Sequence, residues 1–286
     1  MNGSESHPMQ SRGRTYVIGP GNLSAAKLGR DLQKLWQYRD LLYTLSLHRI
    51  KVRYKQSMLG GLWAVLQPLS LMLIFTFVFR FVANISSDAI PYSVFVYSAL
   101  LPWNYFSSSV STATNSLVSN AQFVTKVYFP REILPATYVI AAFCDFLVAS
   151  IVLMGLMMYY QIPLTINVLY LIPIVIVLTC FSLAMSFLLS ATQVRFRDIG
   201  VAVPLFLQLW LFATPVIYPL SSVPFRYKPL YMLNPMVGMI ENFRNVLLRG
   251  TAPDSSLFIA TAISIPLLFV SYVYFKQIET TMADVI

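Results

Sequence analysis

The chain has 286 residues, 57% of them hydrophobic and 11% charged, with a formal net charge of +9; a soluble domain carries about 45–50% apolar and about 25% charged residues. That balance excludes a water-soluble globular protein. Ten of the twenty Lys and Arg precede Leu62, so the positive excess lies ahead of the first apolar run, which fixes that end in the cytoplasm and argues against a nucleic-acid surface. The fold class expected is an all-α integral membrane protein in one domain. It has six transmembrane helices, an N-terminal amphipathic interface helix and a re-entrant helical segment between spans five and six.

Residues 1–30 read as a mobile polar tail, with no cleavable signal visible. Residues 31–57 follow as a cytoplasmic amphipathic interface helix. Leu41, Leu42, Leu45 and Val52 recur there at helical spacing, while Arg39, Arg49, Lys51, Arg53 and Lys55 mostly fall away from them. Such a helix lies in the headgroup layer with its charges toward anionic lipid; a soluble helix docked on a partner is the plainer alternative.

The six-span domain is expected over 58–276. Gly60 and Gly61 let the chain bend into span one at 62–82, and a short outer turn covers 84–90. Span two, at 92–118, is unusual in its second half, where Asn104, Ser108, Ser111, Asn115 and Ser119 recur every three or four residues. That stripe down one face has two readings: small residues that let helices approach closely, or a hydrophilic wall for hydroxyl-rich cargo. Both hold if the wall lies at a subunit junction.

The inner loop, 119–132, carries Phe123, Val124, Val127, Tyr128 and Phe129, with Lys126 and Arg131 among them. A plain solvated turn is polar, so another protein is expected to cover these side chains, and a cytoplasmic motor pushing here is the reading adopted. Span three, 133–160, contains Asp145, expected to be protonated, hydrogen-bonded to a neighbour or facing water. Cys144 and Cys180 lack metal or redox spacing and read as packing residues.

Span four, 168–191, leads to Arg195 and Arg197 inside, with Asp198 available to N-cap span five at 200–218. Phe206, Trp210, Phe212 and Tyr218 on span five are either ordinary interfacial anchors or sugar-stacking rings. Five prolines, at 215, 219, 224, 229 and 235, then exclude a continuous helix. Asn234 followed by Pro235 marks a new helix start at 236–248, so 219–249 reads as a segment re-entering the membrane from outside. Span six, 257–275, returns the tail 277–286 to the cytoplasm, leaving both termini inside.

A transporter needs an energy source, and no GxxxxGK[ST] phosphate loop, HExxH helix or GxSxG elbow occurs in the sequence. The expectation is a non-enzymatic, metal-free subunit without a cofactor of its own.

VRYKQSMLGGLWAVLQPL from Val52, FVTKVYFPREILP from Phe123, VRFRDIG from Val194 and LNPMVGMIENFR from Leu233 together resemble the membrane subunit of type-2 ABC exporters, the branch that moves lipid-linked polysaccharides such as O-antigen, capsule and teichoic acid. The resemblance implies a homodimer in the inner, cytoplasmic membrane above two nucleotide-binding ATPase subunits, which bind ATP and Mg. It implies a coupling helix at about 120–128, with Phe123, Val124, Lys126, Val127, Tyr128, Phe129 and Arg131 meeting the ATPase. Arg49, Lys51, Arg53 and Lys55 would gather the pyrophosphate of an undecaprenyl-linked polysaccharide, O-antigen first among the classes. The sugar chain would pass along Ser108, Ser111 and Asn115 and the rings of Phe206, Trp210, Phe212 and Tyr218, and the re-entrant segment would close the outer end. A drug or small-lipid exporter of the same architecture, and a membrane enzyme acting on lipid-linked sugar, are the rival readings.

Overall fold

The computed structural model describes residues 36–55, 57–82 and 90–282. The expected tail at 1–30, most of the outer turn at 84–90 and the last four residues lie outside these. Among the described residues the chain is all helical, without strands. We label the helices α1 (Arg39–Lys55), α2 (Trp63–Phe75), α3 (Tyr92–Thr114), α4 (Ala121–Lys126), α5 (Ile133–Tyr159), α6 (Leu171–Arg195), α7 (Ile199–Phe212), α8 (Lys228–Met232), α9 (Pro235–Arg244) and α10 (Ser255–Glu279).

Among the described residues four helices are long and apolar enough to cross a membrane: Gly60–Arg80, Ile133–Tyr159, Ile166–Arg195 and Ser255–Glu279. Six were expected from sequence, and the two others fall short for different reasons. At 23 residues α3 is about 34 Å long, enough for about 30 Å of hydrocarbon, but its serine stripe dilutes its apolarity. The fifth, α7, has only 14 residues, about 21 Å. It was expected to run to Tyr218, but it stops at Phe212 because Pro215 lacks a donor and biases the preceding residue away from helix. Asp198 stands at its N-cap position without making the expected side-chain bond.

At the centre lies α3, with 17 of its residues buried, packed against α5, α6, α7 and α9. Tyr97, Phe95, Phe106 and Leu100 lead a core that reaches Phe146, Phe181, Met239 and Phe243. The loop after Tyr218 folds back as two short 3-10 turns and α8, then α9, all ten of whose residues are buried. Asn234 caps α9 as expected, its side chain accepting from the Met236 amide at 3.1 Å. A π-helical turn, Asn245–Arg249, ends at Gly250 with φ +64°, a left-handed position suited to glycine.

Two arginine-centred contacts hold the fold's ends. At one end the buried Arg244 guanidinium donates to the carbonyls of Phe95 (3.2 Å), Pro215 (2.7 Å) and Val216 (2.6 Å) and pairs with Glu241 at 3.1 Å. The broken backbone after α7 is thus satisfied from inside the protein, as a low-dielectric setting demands. At the other end the Arg131 guanidinium donates to the Glu279 carbonyl at 2.5 Å, tying the inner loop to the last turn of α10. Met282, in the stretch 277–286 expected as a cytoplasmic tail, is buried there beside Val124, Phe129 and Phe275.

Candidate functional site

The polar stripe of α3 opens onto a cavity of about 560 Å³ enclosed by α2, α3, α5 and α7 and the last turn of α1, within the about 300–1,000 Å³ typical of ligand clefts. Asn104, Ser107, Ser108, Ser111 and Thr112 form one wall, and Gln67 of α2 and Gln208 of α7 contribute further polar groups. The Asn104 Nδ2 has no hydrogen-bond partner among the described residues, leaving a donor on this wall. The hydroxyls of the second half of α3 divide between the two sequence readings. Ser109 and Thr114 are buried in helix contacts, whereas Ser108 and Ser111 line the cavity.

At one end of this cavity the fate of Asp145 is decided. It follows Ile133 by 12 residues, about 18 Å along α5, where a lone carboxylate costs about 2.5–3.5 kcal/mol on insertion scales. Arg53 offsets that cost with an ion pair to Oδ2, and the Tyr54 hydroxyl donates to Oδ1. The Arg53 fork also reaches Ser108 Oγ at 3.2 Å. Burial above all, with the Asp145 hydrogen bond second, holds the Tyr54 phenol above its ordinary pKa, so Tyr54 stays a donor. One turn earlier Arg49 donates to Asn120 Oδ1 at 2.6 Å and lies 4.6 Å from the Tyr138 ring centroid.

The interface helix therefore differs from its sequence reading. Its contacts climb α5 from Tyr138 to Asp145, and Arg49 and Arg53 turn toward the bundle, while Lys51 and Lys55 are exposed and Val52, assigned to the apolar face, is exposed too. The partner carboxylate lies 92 residues away in the chain, and helical periodicity carries no trace of it.

Other expected conduit residues lie elsewhere. Asn115 accepts from Gln193 Nε2 at 3.2 Å, beside Gly200, where a Cβ would stand 2.5 Å from Asn115 Oδ1. Trp210 sits in an aromatic cluster with Trp103, Phe106, Phe181 and Phe206, and Phe206 and Phe212 project outward. Tyr218 bonds the Phe212 carbonyl and the Tyr231 hydroxyl. What α7 offers the cavity is Pro204, Leu207, Gln208 and Leu211. Gln67 and Gln208 join the lining without having been expected there, although a lone amide in an apolar helix is a readable signal.

The inner loop also splits. Val124 and Phe129 are buried by this chain itself, against Leu117, Ile133, Leu134, Phe275 and Met282. Phe123, Val127 and Tyr128 remain 53%, 52% and 91% exposed, with Lys126 exposed among them. The expectation that another protein must cover all five apolar side chains is corrected for two of them. α4 and the three residues after it thus form a short peg, anchored on its inward side by Val124 and Phe129 and exposing Phe123, Val127 and Tyr128 on its outward side. Behind it the buried Glu132 meets Lys276 at 2.7 Å; burial pushes this carboxyl up from its ordinary pKa while the ammonium opposes the rise.

Residues 40–248 match the family described as ABC-2 type transporter. The chain is 35% identical over 259 residues to the O-antigen export system permease protein RfbA of Myxococcus xanthus, a match covering 89% of this chain and 98% of that protein. It is 30% identical over 249 residues to RfbA of Klebsiella pneumoniae, covering 86% and 95%. Against the polysialic acid transport protein KpsM of Escherichia coli the identity is 23% over 266 residues, covering 90% and 98%. With most of its length inside the family's own domain and near full-length relatives on either side of 30% identity, this chain belongs to the ABC-2 type transporter family.

Proposed function

We propose that this chain is the membrane subunit of an ATP-driven exporter of lipid-linked polysaccharide, with O-antigen carried on undecaprenyl pyrophosphate as the leading cargo. It works as a homodimer of six-span subunits in the inner membrane, with both termini cytoplasmic and two ATPase subunits beneath that bind ATP and Mg. α3 and α7 complete the six spans by packing among the four longer helices, and the segment 219–249 re-enters from outside, stapled by Arg244. Phe123, Val127 and Tyr128 enter a cleft of the ATPase, while Val124 and Phe129 carry its movement into α5 and α10.

The single observation that supports this most is the hydroxyl- and amide-lined cavity whose mouth is held by a basic helix. A polymer of sugars needs a wall that exchanges hydrogen bonds without strong sites, and serine, threonine and amide side chains provide it. Arg53 with Arg49, Lys51 and Lys55 supplies charge for the pyrophosphate. The relatives named as O-antigen export permeases agree with this cargo.

Deletion of the gene tests the proposal. The expected result is loss of surface polysaccharide with lipid-linked glycan accumulating inside, restored by the wild-type chain, and an ATPase recovered when the tagged chain is purified. Intact surface glycan after deletion would favour the drug or small-lipid reading.

A further inference from the structure

Two carboxylate–guanidinium pairs among the described residues lie inside the helix bundle or on its cavity, and they differ in how far they are sealed. Arg244 and Glu241 have side chains 1% and 6% exposed, and the guanidinium is surrounded by carbonyls. Arg53 and Asp145 are 37% and 23% exposed at the mouth of the cavity, within reach of an anion arriving from outside. A guanidinium fork accepts a carboxylate and a phosphate in the same two-pronged geometry.

We propose that Asp145 is a built-in stand-in for phosphate: its carboxylate occupies one prong of the Arg53 fork, and the pyrophosphate of a lipid-linked cargo displaces it. This rests on the reading that the cargo carries such an anchor. Three details fit an exchangeable pair. Tyr54 holds the carboxylate oxygen that Arg53 does not, so Asp145 keeps a partner once Arg53 turns away. Arg53 already touches Ser108, so a captured phosphate is delivered at the head of the serine wall. Arg49, one turn away on α1, holds Asn120 immediately before α4, so a shift of α1 on capture is felt at the inner loop. Asp145 thus keeps the fork from ordinary anions and yields to a ligand of higher charge.

The permease–ATPase complex in phosphatidylcholine nanodiscs, its nucleotide sites filled with a non-hydrolysable ATP analogue, is titrated calorimetrically with inorganic pyrophosphate. Asp145→Asn is expected to tighten binding about tenfold, the scale of one charge-assisted hydrogen bond. Arg53→Ala is expected to abolish it, alone or combined with Asp145→Asn. A carboxylate that merely braces α1 against α5 gives unchanged or weaker binding in Asp145→Asn, and that result overturns the proposal. Asp145→Ser, equally neutral, decides the matter in the same way if the Asn variant does not assemble with the ATPase. Nanodiscs containing phosphatidylglycerol form the second arm: the gain is expected to persist, and its disappearance would make bulk lipid the ligand and overturn the assignment. Absence of any pyrophosphate binding in a chain whose deletion abolishes surface glycan overturns this site and spares the cargo reading. Binding as expected in a chain whose deletion leaves surface glycan intact spares the site and overturns the cargo.

Discussion

Arg53 and Arg244 show how one residue type serves two ends, according to what surrounds it. Arg244 satisfies three backbone carbonyls and Glu241 from a fully buried position. Removing one partner of such a pair leaves an uncompensated charge and orphaned acceptors, so Arg244→Met is expected to destabilise the protein by about 3–5 kcal/mol. Arg244→Lys is expected to fare little better, since an ammonium cannot reproduce the planar fork; thermal unfolding in detergent reads both, and a Lys variant as stable as wild type would refute the staple. Some of this scale was legible in the sequence. The Asn234 cap and the break at Pro215 are local, set by residues one to three positions apart. The pairing of Arg53 with Asp145 and of Arg244 with the Phe95 carbonyl was not, because contacts across 92 and 149 residues depend on how α1, α3, α5 and α9 come together.

At the scale of elements, the loop 119–132 and the hairpin of α8 and α9 carry opposite lessons. Apolar residues in a basic loop signalled an interface, but which of them face outward follows from where the end of α10 puts Phe275 and Met282, and no periodicity of the loop reveals that. The consequence is a separation of phenotypes. Phe123→Ala with Tyr128→Ala is expected to leave thermal stability unchanged while reducing ATP-dependent export severalfold more than ATPase activity. Phe129→Ala instead opens the core cluster around Val124, Phe275 and Met282 and is expected to cost about 3–5 kcal/mol, read as a lowered unfolding temperature. Equal stability losses in both variants would place the outward side of α4 in the core as well. For the hairpin the decisive contact is Gly238, where a Cβ would lie 2.5 Å from the Ser256 carbonyl oxygen. A backbone atom cannot step aside as a side-chain tip can, and nearby Asn242 and Asp254 bond across the same junction at 3.1 Å and 2.7 Å. Gly238→Ala is therefore expected to push α9 off α10 at a cost of about 1–3 kcal/mol, seen as faster proteolysis between residues 219 and 254; unchanged proteolysis would mean that α9 adapts in place.

For the whole molecule, four of the described helices are long and apolar enough to cross a membrane by themselves, and α3 and α7, the two further spans expected from sequence, differ from them in character. α3 tolerates its serines because it is the most buried of the long helices, and the chain beyond the 14 residues of α7 turns back into the hairpin that Arg244 staples. Both border the cavity together with α2, and α2 and α7 leave apolar side chains exposed: Leu73 and Ile74 on one, Val201, Leu205 and Leu209 on the other. If two copies meet along these helices, the serine walls of both face a shared passage, wider than the 560 Å³ of one chain. In a two-fold dimer the same patch meets itself, so a residue on the seam comes close to its own copy. Val201, Leu205 and Leu209 lie at successive four-residue steps on one face of α7. Cysteine placed at these positions in turn, in membranes treated with copper phenanthroline, is expected to give a covalent dimer from at least one, since a disulfide needs Cα atoms about 4.4–6.8 Å apart. Ile172 and Ile176 on α6 are exposed as well but lie away from the cavity, and cysteines there are expected to stay monomeric. Dimers formed through α6 and not through α7 would move the subunit junction to the other side of the bundle and leave each serine wall facing lipid, where no sugar chain could follow it.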